Sequence, residues 1–84
     1  MKISVEEVQG IIEKFINSRI FLKKARKINK FEPLVSSGLL DSFHLVDLAL
    51  FAEDTFDVII NDHELNRDYF NTLEELTALV HGRL

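Results

Sequence analysis

The sequence predicts an all-α fold: a four-helix bundle in which one helix is short and a long loop separates the first helix from the second. Three observations predict it. Apolar residues recur at spacings of three and four in separate stretches, which puts their side chains on one helix face. Residues able to cap a helix start stand ahead of each stretch. The one strand-like run, Val58-Ile59-Ile60, has no second run to pair with, and an isolated strand is not stable in water.

The first helix is predicted to start at Ser4. Ser4-Val5-Glu6-Glu7 fits a capping box, with Ser4 as N-cap and Glu7 reaching back. Val5, Val8, Ile11, Ile12, Phe15 and Ile16 fall on one stripe. Gly10 weakens this helix by about 1 kcal/mol relative to alanine; it either permits a close helix contact or is simply tolerated. The helix should end between Asn17 and Lys24.

Arg19, Lys23, Lys24, Arg26, Lys27 and Lys30 make the next stretch basic. It reads as a solvated loop or a frayed helix end. A patch for a partner or a nucleic acid is the rival, on a pattern of low specificity. Ile20, Phe21, Leu22, Ile28 and Phe31 are interleaved with the charges, so some of the stretch must pack on the core. Pro33, the only proline, disfavours helix at Glu32. A loop this long in a small domain is usually functional.

That loop leads into Leu34-Val35-Ser36-Ser37-Gly38-Leu39-Leu40-Asp41-Ser42-Phe43 and then the second helix, from about Ser42 to Thr55. Gly38 can take a backbone conformation that other residues resist. Leu39 and Leu40 can fasten the loop to the core. Either Asp41 or Ser42 can serve as N-cap. Phe43, Val46, Ala49, Leu50 and Phe51 are expected to supply the buried side. Leu45, Leu48 and Ala52 widen it until the helix is apolar over much of its circumference, as in a central helix or one that also presents a partner surface. Asp47, Glu53 and Asp54 make the remaining face negative.

Val58-Ile59-Ile60 reads as an extended connector buried against the bundle. Asn61-Asp62-His63-Glu64 has a cap signature, so a short third helix is expected to about Arg67. Tyr69 and Phe70 should then plug the core. Asn71 or Thr72 opens the fourth helix, in which Thr72-Leu73-Glu74-Glu75 is a second capping box. Leu73, Leu76, Leu79 and Val80 form its stripe, and Gly82 is its stop.

At 84 residues the chain is expected to be one domain. A domain of this size buries only about 60–65% of its unfolded surface, so its core is modest. The apolar content of 46% suffices for such a core and is too high for general disorder. With no cysteine there is no disulfide framework and no thiolate chemistry. No apolar run has the length of a membrane span. Met1-Lys2-Ile3-Ser4-Val5-Glu6 lacks a signal-peptide apolar core, and a cytoplasmic protein is expected.

The net charge of −4 hides a division. Residues 1–30 carry eight Lys and Arg against three Asp and Glu, whereas residues 31–84 carry two against eleven. The acidic part argues against nucleic acid as partner for that face. It favours partners with basic patches, whose encounter it would steer.

Enzymatic constellations are missing. Ser42 and His44 are two apart on different helix faces, so His44 could not activate Ser42. No G-x-S-x-G turn is present. His44, His63 and His81 lack metal-ligand spacing, and no carboxylate pair stands out as general acid and base.

Gly38-Leu39-Leu40-Asp41-Ser42-Phe43 resembles the Asp-Ser-Leu attachment motif of acyl and peptidyl carrier proteins. The loop before it, the helix after it and Phe56-Asp57 at that helix's end match the same family. The likeness runs from about Phe31 to Val80, loosely includes the first helix, and is closest to small stand-alone carriers, including the D-alanyl type and those of secondary metabolism. It implies 4′-phosphopantetheine attached covalently to Ser42 by a phosphopantetheinyl transferase, with cargo held as a thioester. Asp41 and Phe43 would support the motif, and Val46, Asp47 and Glu53 would face partners, although Val46 is equally a core candidate. A loading enzyme and a downstream synthase or transferase are implied, and a monomer is expected. His44 stands where fatty-acid carriers often have an acidic residue. With the basic segment it points to a specialised pathway. Two rivals are kept: a small helical protein-interaction domain without prosthetic group, and a nucleic-acid binder using Arg19–Lys30.

Overall fold

The computed structural model describes residues 3–22 and 27–84. Its three α-helices are α1 (Val5–Ile16), α2 (Ser42–Phe56) and α3 (Leu73–His81). No strand occurs among the described residues, so the all-α expectation is met. The third predicted helix is shorter than expected: a single 3₁₀ turn, Asp62–Glu64, that stops well before Arg67.

The predicted caps explain where the helices begin. Ser4 Oγ accepts from the Glu7 amide at 3.1 Å, and the Glu7 carboxylate takes the Ser4 amide in return. Thr72 Oγ1 does the same for the Glu75 amide at 3.1 Å, which settles Thr72 as the N-cap of α3. α1 ends in a π-helical turn, Asn17–Phe21, closed by Leu22 at φ 49°. α2 ends at Asp57, whose φ of 57° is left-handed, a conformation Asp tolerates better than most residues. Gly82 follows α3 as its C-cap.

α1 packs on α3. Val8, Ile12 and Ile16 meet Leu73, Leu76 and Val80 in one buried cluster, joined by Leu45, Leu48 and Ala52 of α2. Val5 and Ile11 fall outside it: both are exposed, because they lie at the edge of the α1 stripe. Gly10 is exposed too, and a Cβ there would meet nothing, so it is tolerated and does not serve a close contact. Phe15 of α1 stacks on Phe51 of α2 at 4.1 Å between ring centroids, which ties the two helices.

The connector after α2 is extended, with Val58 and Ile60 buried and Ile59 exposed, as alternation in an extended chain requires. Phe70 plugs the core, but Tyr69 does not: it is 47% exposed and meets His63 edge-on. Buried Glu64 accepts from the Asn61 amide at 2.9 Å and pairs with Arg83, which also donates to the Ile59 carbonyl at 2.9 Å. That pair bolts the connector to the residues after α3.

The basic segment is partly packed. Ile28 is buried, and its amide donates to Glu13 of α1 at 2.9 Å. Arg19 lies over the Phe15 ring at 5.7 Å and Lys30 over the Phe31 ring at 5.2 Å. Leu22 and Phe31 themselves are exposed. Lys23, Lys24 and Arg26 lie outside the described residues.

Candidate functional site

The loop that ends at Ser42 is held at several points. Gly38 has φ 85°, the positive region that glycine enters without strain. That turn returns the Gly38 amide to the Val35 carbonyl at 3.1 Å and the Leu40 amide to the Leu34 carbonyl at 3.0 Å. Leu34 and Leu40 are buried and fasten the loop to the core, while Leu39 is exposed.

At the junction Asp41, not Ser42, is the N-cap. Asp41 Oδ1 accepts from the His44 amide at 3.0 Å, and the Asp41 amide donates to His44 Nδ1 at 3.2 Å. His44 thus replaces the usual Glu or Gln of a capping box. Ser42 is the first helical residue, is exposed, and has no hydrogen bond to its hydroxyl among the described residues. Because the carboxylate beside it does the capping, the hydroxyl is left available at the positive end of a fifteen-residue helix. His44 is turned to Asp41, so it does not activate Ser42.

The face of α2 that starts at Ser42 differs from the expectation. Phe43 is 80% exposed, Val46 47% and Leu50 56%, whereas Leu45, Leu48 and Ala52 are buried. Both sets follow the spacing i, i+3, i+7, so periodicity cannot choose between them. At about 100° per residue they lie on opposite sides of the helix. The charges do choose. Asp47, Glu53 and Asp54 all fall within about 70° of the Phe43–Leu50 stripe, and all three are exposed. The stripe is therefore an apolar strip on a negative face, and Val46 stands on it, outside the core.

One residue of the site was not expected. Asn71, weighed only as a helix opener, reaches back to the loop. Its Oδ1 accepts from the Val35 and Ser36 amides at 3.0 and 2.8 Å, and its Nδ2 donates to Ser36 Oγ at 2.9 Å. Its carbonyl accepts from the Leu34 amide, and its own amide donates to Glu75 Oε1 at 2.7 Å. No local pattern announces a bond across 35 residues.

His63 is exposed, and His81 lies against the Ile3 carbonyl at 3.1 Å. Among the described residues no three His, Asp or Glu side chains gather as metal ligands do. None of their helices is long and apolar enough to cross a membrane.

Two curated relatives, D-alanyl carrier proteins of two strains of Lactobacillus delbrueckii subsp. bulgaricus, are each 36% identical to the chain over 52 residues. The chain is similar to stand-alone carrier proteins. The alignment covers 62% of this chain and 65% of each relative, so the chain spans just under two thirds of the curated relatives it matches. No family model matches it. The likeness agrees in kind with the resemblance noted for residues 38–43, and the all-helical architecture is compatible with it.

Proposed function

We propose that the chain is an acyl or aminoacyl carrier protein, a single domain over residues 1–84, and not itself an enzyme. The observation that carries this is the division of labour at the α2 start: Asp41 caps the helix, which leaves the exposed Ser42 hydroxyl unengaged. The residues present fit a 4′-phosphopantetheine arm. Ser42 would hold it covalently, and the free amides and dipole of the first turn favour its phosphodiester. When bound, the arm supplies a thiol that carries cargo as a thioester.

Asp41 holds the junction in the shape a phosphopantetheinyl transferase would meet, and Phe43 offers that enzyme an apolar contact. Val46, Asp47 and Glu53 face partners: apolar contact from the first, steering of basic surfaces from the other two. Those partners are a loading enzyme and a downstream synthase or transferase in a specialised pathway. The name of the relatives favours an aminoacyl cargo, D-alanine. A cytoplasmic monomer suits a transient shuttle of this kind.

Intact mass after incubation with coenzyme A and a broad-specificity phosphopantetheinyl transferase tests the proposal. One added arm is expected on the wild type and none on Ser42→Ala. No addition, with the transferase active on a control carrier, would favour a helical interaction domain that docks through Phe43, Val46 and Leu50.

A further inference from the structure

We infer that Asn71 is a positioning residue for modification at Ser42, a role that rests on the carrier function proposed above. It sits outside the Asp41-Ser42 motif and is connected to it by a continuous chain of contacts. The Asn71 side-chain oxygen accepts from the consecutive amides of Val35 and Ser36, its side-chain nitrogen donates to the Ser36 hydroxyl oxygen, and its carbonyl accepts from the Leu34 amide. The three residues gripped this way anchor the rest of the loop. The Leu34 carbonyl accepts from the Leu40 amide at 3.0 Å and from Ser37 Oγ at 3.2 Å, and the Val35 carbonyl accepts from the Gly38 amide. Leu40, fixed at that end and buried, is followed directly by the cap Asp41 and then by Ser42.

Asn71 is itself fixed. Its amide donates to Glu75, whose carboxylate also takes the Thr72 amide at 3.2 Å, so the grip is built on the first turn of α3. A second tie runs alongside it, from the Glu74 amide to the Lys30 carbonyl at 3.0 Å. The residue type matters. Val35 and Ser36 present two donors while Ser36 Oγ serves as an acceptor, and a primary amide is the short side chain that answers both at once. Without the side chain the Val35 and Ser36 amides turn to water, that part of the anchor loosens while the main-chain bond to Leu34 stays, and a transferase must order the Val35–Ser36 turn as it binds.

The test compares the wild type, Asn71→Ala and Asn71→Asp as acceptors for a broad-specificity phosphopantetheinyl transferase, with added mass followed across acceptor concentration. Asn71→Ala is expected to raise KM for the acceptor by about tenfold with kcat little changed, since the loss falls on binding. Asn71→Asp keeps the oxygen that takes both amides, and the Ser36 hydroxyl can turn to donate to its second oxygen, so it should recover most of the lost affinity. In amide spectra the Val35, Ser36 and Ser42 signals should move in Asn71→Ala while those of Val8 and Ile12 hold. If Asn71→Ala does not fold, Asn71→Ser, too short to reach both amides, carries the same comparison. A wild-type KM in the folded variant overturns the positioning role, and so does an aspartate that recovers nothing. A wild type that takes no arm overturns the carrier function and this role with it, a result told apart from the others by the wild-type sample alone.

Discussion

Arg83 meets Glu64 edge to edge, with Nη1 donating to Oε1 at 2.8 Å and Nη2 to Oε2. The two parallel bonds hold the Glu64 carboxyl well below its usual range, from 4.5 to about 2, with the Asn61 amide adding to the effect. The same pairing pushes the Arg83 guanidinium up.

This pair predicts a defined acid response. The folded pKa of Glu64 lies below the unfolded one, so its stabilisation is complete above about pH 4.5 and is lost as pH falls toward about 2. Glu64→Gln should melt below the wild type at neutral pH, and the gap should close across that window. A gap that stays constant from pH 6 to pH 2 would show that the carboxylate charge is not what Arg83 holds.

Leu48 and Leu50 should separate the two faces of α2. Leu48 is 2% exposed, so Leu48→Ala removes core contacts and should cost about 2–5 kcal/mol. Leu50→Ala, on the exposed strip, should change stability by less than about 0.5 kcal/mol. Denaturant unfolding of the two variants measures the difference, and equal losses would contradict the burial pattern.

Asp41 is testable as a cap apart from any contact with an enzyme. Asp41→Ala should cost about 0.5–2 kcal/mol, whereas Asp41→Asn, an equally good N-cap, should cost little. If modification at Ser42 then follows stability across the two variants, capping is the contribution of Asp41. If Asp41→Asn is stable yet slow to be modified, the charge itself is read by the transferase.

The glycines should respond with opposite signs. Gly10 is exposed inside α1 with open space where a Cβ would stand, so Gly10→Ala should stabilise by about 1 kcal/mol. Gly38→Ala forces a side chain into φ 85° and should destabilise by about 1–2 kcal/mol. Thermal melts of both variants decide this.

Much of the fold was legible because its signals are local. Ser4 with Glu7 and Thr72 with Glu75 are four-residue patterns whose geometry follows from backbone chemistry, and both caps occur where the patterns stand. Gly38 was legible for the same reason, whereas the α2 cap was narrowed only to Asp41 or Ser42, because both side chains can accept from a first-turn amide. The orientation of α2 was not read correctly from spacing, since Phe43-Val46-Leu50 and Leu45-Leu48-Ala52 are equally periodic. The position of Asp47, Glu53 and Asp54 held the answer. Tyr69 and Phe70 are neighbours that were both expected in the core, but only Phe70 is buried and the tyrosine stays outside. Glu64 with Arg83 and Asn71 with Ser36 join residues 19 and 35 positions apart, and neither partner carries a mark of the other in its own neighbourhood.

The grip of Asn71 on Leu34–Ser36 also sets an order of events during synthesis. When Ser42 first leaves the ribosome, the residue that secures the approach to it has not yet followed it out of the exit tunnel. A nascent chain cut at residue 60 would display the letters Asp41-Ser42-Phe43 without their fixed setting. The site takes shape only after the start of α3 has emerged, so a transferase acting on ribosome-bound chains would meet a poor acceptor until then.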